Sequence, residues 1–227
     1  MMSKGKGNDA RNFSKIPLPQ ARLWPRGKQR FARSKPATEK GFGRLDWSPR
    51  RAATGMPANT EIREFQQRDF LALWEIDQKC FPRGISYSQV ELLSYIRRPR
   101  SFTLVAERGA SPAGTQPGRK LTQIPSTVGF IVAECGPRQA GHIITIDVLA
   151  EARRSGLGSR LLTAAEKRLR EQGCAWVFLE TAVDNAAAMS FYKRHDYFLV
   201  KTVPRYYATG VDAFVLKKDL LLAGAGE

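Results

Sequence analysis

Apolar positions in this chain follow two rhythms, one of period two and one near 3.6, and both begin only at about residue 60. Glu61-Ile62-Arg63-Glu64-Phe65 alternates as a half-buried strand does. Asp69 to Lys79 then carries Phe70, Leu71, Leu73, Trp74 and Ile76 on a broad helical face, which Cys80-Phe81-Pro82-Arg83-Gly84 breaks at the proline. Ser88 is placed to cap a second helix bearing Val90, Leu92, Leu93 and Ile96, which ends before Pro99. Strands are expected over 101–107 and 127–134, joined by a Gly/Pro/Lys-rich loop, 108–125, that is long for a hairpin. Gly136-Pro137 turns the chain into an apolar strand at 143–148. A helix with Leu161, Leu162, Ala165 and Leu169 on one face follows, then a strand at 175–181 and a helix through Tyr192. Two last strands, 197–203 and 211–217, flank Arg205-Tyr206-Tyr207.

The resulting order is β-α-α-β-β-β-α-β-α-β-β. Hairpins come first and βαβ units with right-handed crossovers after them. That order predicts one α/β (α+β) domain: a mixed, mostly antiparallel seven-stranded sheet with helices on both faces.

Charge divides the chain differently. The formal net charge is +16, and the first 60 of the 227 residues hold 14 Lys/Arg against 3 Asp/Glu, or +11 of it. The same segment lacks any sustained period, so residues 1–58 are expected to be a disordered basic tail, 59–220 the domain and 221–227 a short C-terminal tail. A basic tail suits RNA, a ribosome or anionic lipid, or is simply solvated; Met56 also stands as an alternative start, making the tail a gene-model extension. No apolar run approaches the roughly 20 residues of a membrane span, and no apolar leader opens the chain, so a cytoplasmic address is expected and no membrane partner. Cys80, Cys135 and Cys174 read as reduced core residues rather than a disulfide or zinc framework. His142 and His195 show no paired metal-ligand spacing, so no metal is expected.

Chemistry concentrates between Gly141 and Tyr192. Arg153-x-x-Gly156-x-Gly158 lies between a strand and a helix, where glycines let backbone N–H groups converge in front of a helix dipole. That suits a pyrophosphate, and Arg153, Arg154 and Arg160 add positive charge. An ordinary basic βα loop would read the same way. Neither a P-loop nor a GxGxxG dinucleotide fingerprint is present.

Val148-Leu149-Ala150-Glu151-Ala152-Arg153-Arg154-Ser155-Gly156-Leu157-Gly158 resembles the cofactor motif Q/R-x-x-G-x-G/A of the GNAT superfamily of N-acetyltransferases. Asp184-Asn185-Ala186-Ala187-Ala188 through Phe191-Tyr192 resembles that superfamily's second motif. With Phe178-Leu179-Glu180 and Arg205-Tyr206-Tyr207, the chain looks most like bacterial ribosomal-protein-alanine N-acetyltransferases, over about residues 60–219. The resemblance implies that strands 143–148 and 175–181 splay apart to admit the pantetheine arm of acetyl-CoA. It implies a cofactor site of Ile146, Asp147 and Val148, the turn Arg153, Arg154, Ser155, Gly156, Leu157, Gly158, Ser159 and Arg160, and Asn185 and Tyr192 beyond it. Phe81-Pro82 and Tyr206-Tyr207 resemble the walls that grip a peptide N-terminus, though aromatic packing alone would also place them there. Two departures stand out: Asp196 where a glycine is usual after the Tyr192 helix, and the long 108–125 loop.

A thioester is attacked by a neutral amine. An α-amino group titrates near 7.7–8.0 and a lysine near 10.4, so the former needs only a carboxylate acting through water. Glu180 is the candidate base, as the only charge in the strand Ala175–Thr181; a strand-end glutamate paired with an arginine is the plainer alternative. Asp147 is the other candidate, as base or water holder. Asn185, Ala188 and Tyr192 share a helix face, which makes Tyr192 the candidate acid for the leaving thiolate, or else a core tyrosine. Asn185 is either an N-cap or a pantetheine ligand.

Acetyl transfer to a protein N-terminal α-amine is therefore the expected activity, with possible ribosome association. A lysine, polyamine or small amine is the rival substrate. A CoA-sensing or RNA-binding module without turnover is the rival of another class.

Overall fold

The described residues, 60–109 and 126–221, fall within one unit, Ala52–Glu227, of the computed structural model. The expected basic tail, nearly all of the 108–125 loop and residues 222–227 lie outside them. The elements run β1 (Thr60–Glu64), α1 (Phe70–Cys80), α2 (Gln89–Ile96), β2 (Ser101–Arg108), β3 (Ser126–Cys135), β4 (Ala140–Val148), α3 (Leu157–Glu171), β5 (Trp176–Ala182), α4 (Ala186–Arg194), β6 (Phe198–Val203) and β7 (Ala213–Asp219). Local chemistry explains the ends. Ser88 and Glu91 form a reciprocal capping box at the start of α2, and Asp196 takes the left-handed conformation (φ 64°) that stops α4.

One seven-stranded sheet results, ordered β1-β2-β3-β4-β5-β7-β6. All pairings are antiparallel except β4 with β5. The expected run of βαβ units is thus cut short. The chain leaves β5 through α4 to β6, but β7 returns and inserts between them. Burial gives the reason: Val215 and Leu216 of β7 are buried, whereas β6 carries Phe198, Leu199 and Val200 exposed, as an edge strand tolerates and a central one does not.

Strand alternation sends neighbouring residues into two cores. Leu104, Ile131 and Leu179 pack with Leu161, Leu162 and Leu169 of α3 and Tyr192 of α4. Val105, Phe130 and Val132 pack with Leu73, Ile76, Leu92 and Tyr95 of α1 and α2. Helices therefore cover both faces. The α3 stripe holds one charge, Glu166, which accepts from Lys218 Nζ (2.7 Å) and Tyr197 Oη (3.0 Å).

A register shift in the β3–β4 pairing has larger consequences. Val132 faces Thr145 while Ala133 faces Ile143, so Ile144 is an extra residue in β4. Such a bulge bends its strand and increases the local twist.

Removing Lys218 leaves the Glu166 charge buried without its cation. Lys218→Met is expected to lower unfolding stability by about 3 kcal/mol in urea titration. The double variant Glu166→Met/Lys218→Met should regain most of that loss. A single variant as stable as the parent would contradict this role for the pair.

Candidate active site

β4 and β5 pair only where Ala140, Gly141 and His142 meet Trp176, Val177 and Phe178. The bulge at Ile144 follows immediately, and from there the two parallel strands diverge as a fork. Leu149 N–H bonds to Val128 O on the β3 side (3.0 Å), so strand alternation turns the main-chain groups of Ile146 and Val148 toward the fork. Val148 O is already taken there by Arg153 Nε at 2.8 Å. Ile146 is left presenting an edge suited to an extended amide-bearing ligand.

Beyond β4 the chain turns through Arg154 (φ 60°) and Gly156 (φ 82°) into α3. Only at Arg160 does an N–H find an intrahelical acceptor, Gly156 O at 3.0 Å. The N–H groups of Leu157, Gly158 and Ser159 therefore open a 15-residue helix, as an anion requires. The arginines are arranged unequally. Arg153 folds back on Val148 O and toward Cys80 Sγ (3.6 Å), and Arg160 reaches Thr60 O on β1 (2.8 Å). Arg154 is exposed at the turn. Ser155 Oγ donates to Ala152 O (2.7 Å). Ser159 Oγ and His195 Nε2 lie 2.8 Å apart, joining the start of α3 to the end of α4.

Glu180 is not the solitary charge that its strand suggests. His142 Nε2 lies 2.8 Å from Glu180 Oε2, and the imidazole stacks on Phe178 at 4.3 Å. Glu134 Oε1 stands 3.7 Å from His142 Nδ1, and Arg98 Nη1 donates to both Glu134 oxygens at 3.0 Å. Burial alone would lower the His142 pKa. The two carboxylates outweigh it and raise the group to about 9, so the imidazole is cationic at neutral pH. The partner is thus a histidine, not the arginine of the plainer alternative. Both side chains belong to the α1/α2 face and both are more than nine-tenths buried.

Tyr192 lies across the fork, buried in the α3/α4 core against Tyr197 (5.4 Å between rings). Burial first, then the charges of Asp147 and Tyr207, push its phenol up, so it keeps its proton at neutral pH. Asn185 caps α4, its Oδ1 accepting from Ala188 N–H at 3.0 Å. Asp147 is 1% exposed. One of its oxygens accepts from Thr145 Oγ1 (3.2 Å), while Oδ2 has no partner among the described residues. Burial and the neighbouring Asp77 hold its carboxyl well above the ordinary range, which favours the neutral acid. Asp77, pushed up to about 6 chiefly by burial, accepts from Tyr87 N–H at 2.8 Å and leaves Oδ1 without a partner among the described residues.

The α1–α2 loop meets the β6–β7 connection, whose Tyr206 and Tyr207 lie near enough to Glu180 to feel its charge. Gly84, three residues after Phe81, sits so near the β6–β7 connection that a Cβ there would lie 2.8 Å from Thr209 Cγ2. Phe81-Pro82 and Tyr206-Tyr207 therefore belong to touching loops. Tyr206 packs edge-on against Tyr207 (5.0 Å), and its buried hydroxyl has no partner among the described residues. Burial, then the Glu180 charge, raises both phenols. Among the described residues, no group of three His, Cys, Asp or Glu could hold a metal ion, and no helix is long and apolar enough to cross a membrane.

The chain Arg98–Glu134–His142 behind Glu180 escaped the sequence reading, which weighed His142 only as a metal ligand. The available signal was the parallel strand pair: in-register β4 and β5 put a residue just after Gly141 beside one two positions before Glu180.

Comparison with known proteins places these features in context. The model of the acetyltransferase (GNAT) family matches residues 69–197. An N-alpha-acetyltransferase of Sulfurisphaera tokodaii is 38% identical over 81 residues, covering 35% of this chain and 48% of that protein. The chain thus spans about half the length of such curated relatives. The crystal structure of Ard1 from Thermoplasma volcanium is similar with a TM-score of 0.59 and 28% identity, covering 70% of this chain and 97% of that one. The ribosomal-protein-S18-alanine N-acetyltransferase from Escherichia coli shares the fold (TM-score 0.57, 22% identity, covering 74% of this chain and 99% of that one).

The raised His142 has a consequence for stability. Its contribution is complete below pH 6.5, the ordinary histidine value, and is lost as pH rises through about 9. Up to about 3 kcal/mol should disappear across that window, and His142→Gln should flatten the loss. Urea midpoints from pH 6 to 10 check this; parallel curves for the two proteins would contradict it.

Proposed function

This chain belongs to the acetyltransferase (GNAT) family, and on that premise we propose that it moves an acetyl group from acetyl-CoA to a protein N-terminal α-amine. The observation that carries the reading is the His142–Glu180 pair, buried where the β4–β5 fork begins to open. Glu180 is the carboxylate placed to take one proton from an α-ammonium, which titrates near 7.7–8.0.

Bound acetyl-CoA supplies an activated acyl carbon. Ile146 holds the pantetheine amides along the free edge of β4, and the N–H groups of Leu157, Gly158 and Ser159 meet the pyrophosphate, with Arg154 beside them. Arg153 acts indirectly, fixing the end of β4 through Val148 O. Glu180 takes the proton of the α-ammonium, directly or through one water, as the amine nitrogen bonds to the acyl carbon. His142 holds Glu180 in place, anchored in turn by Glu134 and Arg98. Tyr192, across the fork, gives its phenolic proton to the departing thiolate. Phe81, Pro82 and Tyr207 wall the peptide entrance, and the Tyr206 hydroxyl meets the substrate's first carbonyl. Asp147, held toward its neutral form, serves better as a water holder than as the base.

A peptide N-terminus is favoured over a lysine because an α-ammonium, titrating near 7.7–8.0, gives up its proton to a carboxylate more readily than a lysine titrating near 10.4. The finer assignment, a ribosomal-protein N-terminus, rests on the motif resemblance alone.

Incubating the protein with acetyl-CoA and peptides differing in their first two residues, and following free thiol, should reveal turnover on α-amines. Tight CoA binding with no turnover on any amine would sink the reading, and turnover on lysine or polyamines alone would redirect it. Tyr192→Phe should lower kcat roughly 10²-fold with CoA affinity nearly unchanged; an unchanged kcat would remove Tyr192 as acid. Glu180→Gln should cost a similar factor at pH 7, and the gap should narrow above about pH 8, where the α-amine sheds its own proton. A gap independent of pH would mean Glu180 acts only structurally.

A further inference from the structure

Cys135 and Cys174 approach each other at the closed end of the fork. Cys135 ends β3, opposite Gly141 of β4, and Cys174 precedes β5 in the turn that leaves α3. Their sulfurs are 3.0 Å apart, with the Cys174 thiol donating to Cys135 Sγ. That is only about 1 Å beyond a disulfide bond of about 2.05 Å. The main chain holds both ends in place: Cys135 N–H bonds to Arg100 O (3.0 Å), Cys174 N–H to Leu169 O (2.9 Å) and Ala175 N–H to Gln139 O (2.8 Å). Cys135 is half-buried, whereas Cys174 is 1% exposed.

We infer that Cys135 and Cys174 form an oxidation site, which a peroxide converts into an intramolecular disulfide stapling the paired end of the fork. This departs from the reading of all three cysteines as inert core residues. Two asymmetries assign the order of events. Cys135 is the sulfur a small oxidant can reach, and burial raises the Cys174 thiol so that it keeps its proton until attack begins. Cys135 sulfur attacks a peroxide oxygen: an S–O bond forms, the O–O bond breaks and water leaves, giving a sulfenic acid. Cys174 sulfur then attacks the Cys135 sulfur. An S–S bond forms, the S–O bond breaks and a second water leaves, so two thiols lose two electrons and two protons in all.

Cys80 cannot compete. It lies against Val148 and Arg153 at the other end of β4, roughly 23 Å away for seven strand residues at about 3.3 Å each. The new bond links positions 39 apart in sequence and encloses β4, the Gly156 turn and α3. It falls where β4 and β5 are already joined, leaving the open end of the fork and its geometry as they are.

The full chain is treated with hydrogen peroxide, quenched by alkylation, digested and mapped by mass spectrometry. The expected product is one cross-linked peptide pair carrying Cys135 and Cys174, with Cys80 alkylated. The thermal midpoint should rise by roughly 5–10 °C, the scale of a cross-link closing a loop of this size in such a domain. Dithiothreitol should reverse the rise. Cys135→Ser should show neither the link nor the rise, and Cys80→Ser should retain both. If Cys135→Ser does not fold, the parent's peptide map and its reversal by dithiothreitol decide the matter alone. Cys135 and Cys174 recovered as alkylated thiols or separate higher oxides would overturn the inference. So would a link through Cys80, or one between two chains.

Discussion

One extra residue in β4 governs the rest of the molecule. Up to His142 the strand is paired on both sides, with β3 and with β5. At Ile144 the bulge shifts its register against β3, and pairing with β5 stops. A strand that stays in the sheet on one side and leaves it on the other must expose a row of main-chain donors and acceptors. In a sheet interior such a row is costly unless something else pairs with it. The bulged residue is itself partly satisfied, since Tyr87 Oη donates to Ile144 O at 3.4 Å. Further along, Arg153 closes off Val148 O, which concentrates the unmet edge at Ile146.

The same fork sets the charges. His142 is the last residue of β4 still paired with β5, and Glu180 comes two residues past its partner Phe178. Their side chains therefore meet, buried, where the strands begin to part. Neither charge could be buried there alone. Arg98, Glu134, His142 and Glu180 form a chain of alternating sign, in which each member lowers the cost of the next. On the opposite face Tyr192 needs no such chain, because a phenol buried among Tyr197, Phe191 and α3 is neutral.

Much of this could be read from the chain and some could not. Local rules wrote themselves plainly: the Ser88 cap of α2, the leucine stripe of α3, the Asp196 that ends α4 and the Gly156 turn. Helices on both faces of the sheet were legible too, from the order of the elements. The position of β7 between β5 and β6 was not. Strand order is set by which hydrophobic strand buries better, and β6 differs from β7 only subtly in composition. Glu180 stood out as a lone charge, yet its partner lay 38 residues earlier, and only the parallel register brings the two together. The arginines around the Gly156 turn also have partners that the sequence did not reveal. Arg153 and Arg160 are spent on main-chain carbonyls, which composition cannot reveal.

We propose that acetyl-CoA lies along the bulge-opened edge of β4 and over the amides of the Gly156 turn. Amide hydrogen exchange with and without CoA tests it most directly. Slowed exchange confined to residues 144–148 and 157–159, with the remaining strands unchanged, is the predicted result. Saturating CoA that leaves those amides exchanging as before, while protecting some other segment, would contradict the account.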